Sequence, residues 1–257
     1  KEQIIFFKRN GFIKLKNVFS PGAVLKLRAE LINLLKKEFN VDPDKGAHER
    51  FLSLEMTWLN NTLLRAFVLS PRLGQISADL LSVPAIRLYH DNVLAKQAGC
   101  GRTPWHFDDQ HFPLDTNDVV TAWIPAQPTP VEMGPLSFAY PLEVHKLVNA
   151  VKFEKAGVGY DRGVSEVFAK NDVTINETPF ELGEVSFHHN LNFHTASQNR
   201  TNRSRVVLAN TYYKDGARVI DSPTMISGDW QKFMPNVKPG DLAASPLNPI
   251  CWPVDDE

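Results

Sequence analysis

His106, Phe107 and Asp108 set an imidazole and a carboxylate two residues apart. On a β-strand, residues i and i+2 share a face, so the two polar groups can converge on one metal while Phe107 turns away. A third ligand should come from a strand that is near in space and far in sequence. The segment 183–194, GEVSFHHNLNFH, offers His188, His189 and His194. Strand alternation sends only one of the adjacent His188 and His189 inward, and either suits a hydrogen-bonded structural role better than ligation. Two histidines and one carboxylate on one face of an octahedron form the ligand set of non-haem Fe(II) oxygenases, with three positions left open for co-substrate and O2. A zinc hydrolase built on two histidines and a carboxylate remains an alternative. HxD alone is a short pattern that recurs by chance. The order of HxD, then a late histidine, then an arginine is more informative. No GxSxG, P-loop or GxGxxG pattern offers a competing chemistry.

The elements that must position these residues fall into two regions. Residues 1–85 read as mostly helical. Ser20-Pro21 is a helix start, a capping hydroxyl followed by a proline where no N–H bond is needed. Val24, Leu27, Leu31 and Leu35 then form one apolar face. Ser70-Pro71 repeats the signal, with Leu73, Ile76, Leu80 and Leu81 behind it and an end before Pro84. From Ile86 the chain changes to eight short β-type runs, at 86–94, 104–108, 119–124, 136–140, 173–176, 184–188, 193–196 and 206–213, most of them punctuated by Pro, Gly, Asn or Asp. Eight strands without intervening helices predict a jelly roll. The insertion at 142–172 breaks this rhythm and reads as a lid or loop over a site. The tail, 214–257, is rich in Pro and Gly but holds Trp230, Phe233 and Trp252, and is expected to pack on the core. The whole chain, 1–257, is expected to form a single domain.

Composition narrows the partners. The 257 residues are 43% hydrophobic and 22% charged, with a net charge of −1. That balance supplies no global basic field for nucleic acid or an anionic membrane, and no run approaches the ~20 apolar residues of a bilayer span. Two cysteines, Cys100 and Cys251, make no disulfide framework or metal-ligand spacing, so a cytoplasmic location is expected. A small-molecule substrate is the expected partner.

Larger blocks carry a resemblance. Thr103-Pro-Trp-His-Phe-Asp108 resembles the TPWHxD block of the phytanoyl-CoA dioxygenase-like (PhyH) family. Val120–Pro125 is similar to that family's third-strand segment, and Gly134-Pro-Leu136 to the turn that follows. Gly183–Phe187, His194–Asn199 and Arg205 resemble its distal block, with histidine and arginine eleven residues apart in both. Gly11-Phe12-Ile13 and Val18-Phe19 match its opening. The resemblance covers most of residues 1–213.

It implies a mainly β chain with flanking helices around a double-stranded β-helix, a cupin-like jelly roll. It implies Fe(II) held by His106, Asp108 and His194, with 2-oxoglutarate and O2 as co-substrates. It gives Arg205 the far carboxylate of 2-oxoglutarate, a role that suits a guanidinium, which binds carboxylate through two parallel hydrogen bonds. Arg200 and Arg203 are the rivals, better read as solvated loop charges. Lys96 matches a family lysine near the co-substrate, and Trp123 a family tryptophan lining the pocket. Asp109 and His111 face either substrate or solvent. Two departures stand out. Ala196 takes the place of a serine that often follows the distal histidine, and Tyr140–His145 replaces a PGSH turn. Related halogenases lack the carboxylate; Asp108 is present, so hydroxylation or desaturation of a small, partly apolar metabolite is expected. The alternatives are a cupin-like hydrolase or isomerase that needs no 2-oxoglutarate, and a degenerate barrel acting as a binding module.

Overall fold

The computed structural model describes residues 1–46, 48–148, 151, 158–221, 223 and 228–254. Parts of the 142–172 insertion and of the tail therefore lie outside the described residues. The helices are α1 (Glu2–Asn10), α2 (Pro21–Phe39), α3 (Thr62–Val68), α4 (Pro71–Leu81), α5 (Val144–Val148) and α6 (Val158–Lys170). The strands are β1 (Phe12–Leu15), β2 (Phe51–Glu55), β3 (Ile86–Lys96), β4 (Thr103–His106), β5 (Val119–Pro125), β6 (Leu136–Tyr140), β7 (Thr174–Asn176), β8 (Val185–His189), β9 (His194–Ala196), β10 (Arg205–Lys214) and β11 (Ile250–Trp252).

The two helix starts form as the sequence predicts. Ser20 accepts from the Ala23 N–H at 3.3 Å, Pro21 opens α2, and Val24, Leu27, Leu31 and Leu35 are all fully buried. Ser70 caps α4 in the same way, and the helix ends at Ser82 in a left-handed conformation before Pro84. Helix α1 carries no strong sequence signal. Its amide at Gly11 closes onto Phe7 O at 2.7 Å, with Gly11 at φ 76°.

The strands make two facing sheets, as a double-stranded β-helix requires. The larger runs β1-β8-β5-β10-β3-β11, with β2 also paired to β3; the smaller runs β4-β9-β6-β7. Every pairing is antiparallel. The larger sheet is covered on both faces, so its inner strands read as near-continuous apolar runs. On β5, Val120, Ala122 and Ile124 pack toward the helices, whereas Thr121 and Trp123 point between the sheets. On β10, Val206 and Leu208 point outward and Arg205, Ala209 and Thr211 inward.

The expected lid is corrected. The described part of the insertion lies behind the smaller sheet. Val144, Val148, Tyr160, Val164 and Phe168 from α5 and α6 cluster with Ala139 and Phe193, and Trp105 and Phe107 pack on them. Phe193 stacks on Trp105 at 5.4 Å between ring centres, and Phe168 meets Trp105 edge-on at 5.1 Å. The side chains next to His106 and His194 in sequence thus anchor the two strands from outside. In the tail, Trp230, Phe233 and Met234 pack on Tyr89, Leu114 and Tyr213, while β11 pairs with the start of β3.

Candidate active site

A cavity of about 400 Å³ lies between the sheets and takes residues from both. At its centre, the ligating atoms of His106, Asp108 and His194 all fall within 4.8 Å of one another. The strand argument for His106 and Asp108 needs correction, because β4 ends at His106. Asp108 sits beyond it at φ −93°, ψ −9°, heading a short 3-10 turn. The pairing shows how the two still converge. Thr103 stands opposite Ala196 and His106 opposite His194, so three steps on β4 match two on β9. That extra residue is a β-bulge, a device that re-aims side chains near active sites, and Pro104, which has no N–H to give to the ladder, falls within it.

Both histidines are held in the tautomer a metal needs. His106 Nδ1 lies 2.8 Å from Pro104 O, and His194 Nδ1 lies 2.9 Å from Asn192 O. A carbonyl only accepts, so each Nδ1 carries the proton and each Nε2 presents its lone pair to the centre. Burial holds His106 and His194 neutral, with both pulled down to about 4. Burial also opposes ionisation of Asp108. The imidazole of His194, with His188 and His106, outweighs it and keeps the carboxyl well below the usual carboxylate range. Asp108 Oδ1 is 3.5 Å from His106 Nε2, while Oδ2 lies 3.4 Å from His188 Nε2 and 3.9 Å from His194 Nε2. Ligands at neighbouring positions around a metal ~2.0–2.3 Å away are separated by roughly 3 Å, so a small contraction completes the shell. Two neutral imidazoles and one ionised carboxylate fit Fe(II).

Arg205 opens β10, is 2% exposed and lines the same cavity. Its Nη1 donates to Gly134 O, its Nε has no partner, and no described carboxylate forms an ion pair with it. Burial lowers its pKa to about 10, which leaves it charged. Gly134 must be glycine. Its φ is 70°, and a Cβ there would strike Ser197 O. Trp123 lines the cavity with the Arg205 guanidinium 5.2 Å from its ring centre. Arg200 and Arg203 are exposed on the preceding loop.

The other expected residues divide. Lys96 is fully buried, contrary to the usual solvated lysine, and pairs across the ladder with Arg205. It does not line the cavity. Its Nζ donates to Ser197 O at 2.8 Å and Ala196 O at 3.2 Å, tying β3 to the end of β9. Burial, reinforced by Arg205, lowers its pKa to about 7. Ala196 faces the cavity, and neither neighbouring hydroxyl replaces the missing serine: Thr195 donates to Thr103 O and Ser197 to Glu177. His111 lines the mouth, whereas Asp109 turns to Asn190. Cys100 and Cys251 are free and buried.

Sequence reasoning left three further contributions unassigned. His188 points inward beside Asp108, while His189 turns outward against Phe7. Strand β2 brings Phe51, Ser53 and Glu55 to the wall. His90 and Asn92 reach the cavity from β3. Alternation along β3 and β8 was the available signal for these histidines and Asn92. Strand β2 had none beyond its alternation.

Comparison with known proteins agrees with the geometry. The family model for phytanoyl-CoA dioxygenase (PhyH) matches residues 7–207. No curated protein matches the chain in sequence. Among solved structures, the non-haem α-ketoglutarate-dependent carbocyclase SnoK from nogalamycin biosynthesis is 24% identical over 97% of this chain and 95% of its own, with a TM-score of 0.76. The epimerase SnoN of the same biosynthesis is 19% identical over 97% of both chains, with a TM-score of 0.73. EctD from S. alaskensis, solved with 2-oxoglutarate and 5-hydroxyectoine, is 17% identical over 96% of this chain and 88% of its own, with a TM-score of 0.71. At such identities these likenesses speak for the fold. Family match, fold and the His-Asp-His cluster together make this chain a member of the phytanoyl-CoA dioxygenase family, a 2-oxoglutarate-dependent non-haem iron enzyme.

Proposed function

We propose that the chain hydroxylates a small, partly apolar metabolite: substrate–H + O2 + 2-oxoglutarate → substrate–OH + CO2 + succinate. The observation that carries this reading is a buried arginine without an acidic partner, on the same cavity as the His-Asp-His cluster. A hydrolase or isomerase that uses no 2-oxoglutarate has no dicarboxylate for Arg205 to anchor, and a mere binding module has no use for an intact triad.

Iron held at the cluster would supply the oxidising power for the O2 chemistry. The chain's residues do the rest. His106, Asp108 and His194 would hold the metal. Arg205 fixes the far carboxylate of 2-oxoglutarate, and Trp123, Leu136 and Ala196 shape an apolar slot around its carbon chain. The sheets on either side exclude water from the centre.

The remaining wall combines Phe51 and Phe112 with Ser53, Asn92 and His90, which suits a partly apolar molecule with a few polar groups. The cavity must take 2-oxoglutarate as well, so the substrate is small. Among the described lining residues Arg205 is the only Lys or Arg, which disfavours a phosphate-bearing carrier such as coenzyme A. EctD was solved with 5-hydroxyectoine, a hydroxylated small molecule, and SnoK and SnoN are named as a carbocyclase and an epimerase. Asp108 occupies the place where a halogenase would hold halide, which supports hydroxylation over halogen transfer.

The test is anaerobic addition of Fe(II) and 2-oxoglutarate. The expected result is a weak visible charge-transfer band that needs both additions. Iron binding with no response to 2-oxoglutarate would move the chain to the hydrolase or isomerase reading.

A further inference from the structure

Four polar side chains converge at the cavity centre, and the ligand triad uses three of them. The fourth is His188. Strand β8 pairs with β5 so that His188 stands opposite Thr121, and both side chains face inward. His188 is 3% exposed, with its ring 4.6 Å from His194 and 5.9 Å from Phe138. Its Nε2 lies 3.4 Å from Asp108 Oδ2, nearer than the 3.9 Å from that oxygen to His194 Nε2, while Oδ1 of the same carboxylate faces His106 at 3.5 Å. Its Nδ1 is buried without a partner.

We infer that His188 is a positioning residue for the iron site: its Nε2–H holds Oδ2 of Asp108 away from the metal, so that Oδ1 alone ligates. The inference rests on the reading that His106, Asp108 and His194 bind a metal. A carboxylate only accepts hydrogen bonds, so the proton belongs on Nε2. Nδ1 then keeps an unshared pair in an aromatic, dry setting, which is unfavourable. A phenylalanine would fill that space between Phe138 and His194 without leaving a polar atom unpaired. The histidine is therefore explained by what its other nitrogen does. A two-oxygen contact from Asp108 would take a fourth metal position and leave two. Chelating 2-oxoglutarate uses two positions, and O2 needs a third. Contacts of this kind around a ligand are worth roughly 10–100-fold in metal affinity.

The test uses the full chain without oxygen. Fe(II) is titrated against a competing chelator, and Co(II) serves as a spectroscopic probe, in the parent and in His188→Phe, His188→Gln and His106→Ala. Glutamine sets an amide N–H near the place of Nε2; phenylalanine keeps the ring and removes the donor. The Phe variant is expected to bind Fe(II) roughly 10–100-fold more weakly, with a changed Co(II) visible spectrum. The Gln variant is expected to recover most of the affinity and the parent spectrum. If circular dichroism shows the Phe variant unfolded, His188→Met provides the donor-free comparison. Parent-like affinity and spectrum in the donor-free variant, with metal lost in His106→Ala, would overturn this inference alone. A Gln variant as weak as the donor-free one, with a Co(II) spectrum missing one imidazole, would make His188 a fourth ligand and overturn it too. No metal bound by the parent would overturn the metal-site reading itself.

Discussion

Replacing Arg205 by alanine isolates the proposed co-substrate anchor from the metal. Arg205 is 2% exposed, so a carboxylate seated against it is also withdrawn from water. Its Nη1 is committed to Gly134 O, which leaves Nε and Nη2 free for two parallel contacts. Truncation abandons a buried carboxylate without its charge partner, a loss of roughly 3–5 kcal/mol. At ~1.4 kcal/mol per tenfold, 2-oxoglutarate affinity should fall by about two to four decades. Fe(II) affinity should stay within a fewfold, because Arg205 is not in the cluster that could hold metal. Arg205→Lys should recover only part of the loss, since an ammonium cannot make the two-pronged contact. The exposed Arg200 and Arg203 supply the controls, and their alanine variants should be nearly silent. The assay is anaerobic titration of 2-oxoglutarate into the Fe(II) form, read at the charge-transfer band. Parent-like binding by Arg205→Ala, with failure of a control, would place the anchor elsewhere and refute the reasoning.

Asp108→Ala removes the one anionic ligand; hydroxylation should vanish and Fe(II) affinity drop, whereas full turnover at ordinary iron concentration would contradict the triad, and Asp108→Gly with excess chloride should reveal trace halogenation. Burial lowers both His90 and His189 to about 4, below the ~6.5 of an unfolded chain, so the unfolded state takes up more protons between these values. Stability of the metal-free protein should therefore be full above about pH 6.5 and decline toward pH 4, by on the order of 1 kcal/mol per histidine after allowing for their partial exposure; urea midpoints that stay flat across this window would exclude it. Phe168→Ala, in α6 and far from the cavity, should cost about 3 kcal/mol in stability and also weaken Fe(II) binding, because it removes support behind Trp105 and Phe193; thermal unfolding and iron titration measure the two effects separately.

The fold class was legible because the strands of a two-faced sheet are long apolar runs, and the eight runs from Ile86 onward all appear as strands. Strands β1, β2 and β11 were not, since β1 and β11 are only four and three residues long and β2 is an edge strand with one ladder. The metal cluster was legible from residue type and order, yet for an incomplete geometric reason: Asp108 converges through a bulge and a turn, and bulges leave little trace in a sequence beyond a residue such as Pro104. His188 resisted reading because alternation says that one of two adjacent histidines points inward but not which, and only the register with Thr121 decides it. Lys96 resisted for another reason. Its partners are backbone carbonyls at Ser197 and Ala196, and backbone acceptors carry no signature in residue type. The insertion was misplaced because its apolar residues reveal that something is covered, not which face.

Strand β2 hangs on the edge of β3 by a single ladder, yet contributes Phe51, Ser53 and Glu55 to the cavity wall. It carries none of the cluster residues, and Arg205 and Trp123 stand on other strands. Its inward positions can therefore be exchanged without disturbing the groups proposed to hold iron and 2-oxoglutarate. Glu55 also meets Lys232 of the tail at 2.6 Å, so a change on this strand is matched most directly by one on that turn. Lineages that acquire new substrates on this scaffold should vary β2 and the turn around Lys232 together, and leave the barrel between them alone.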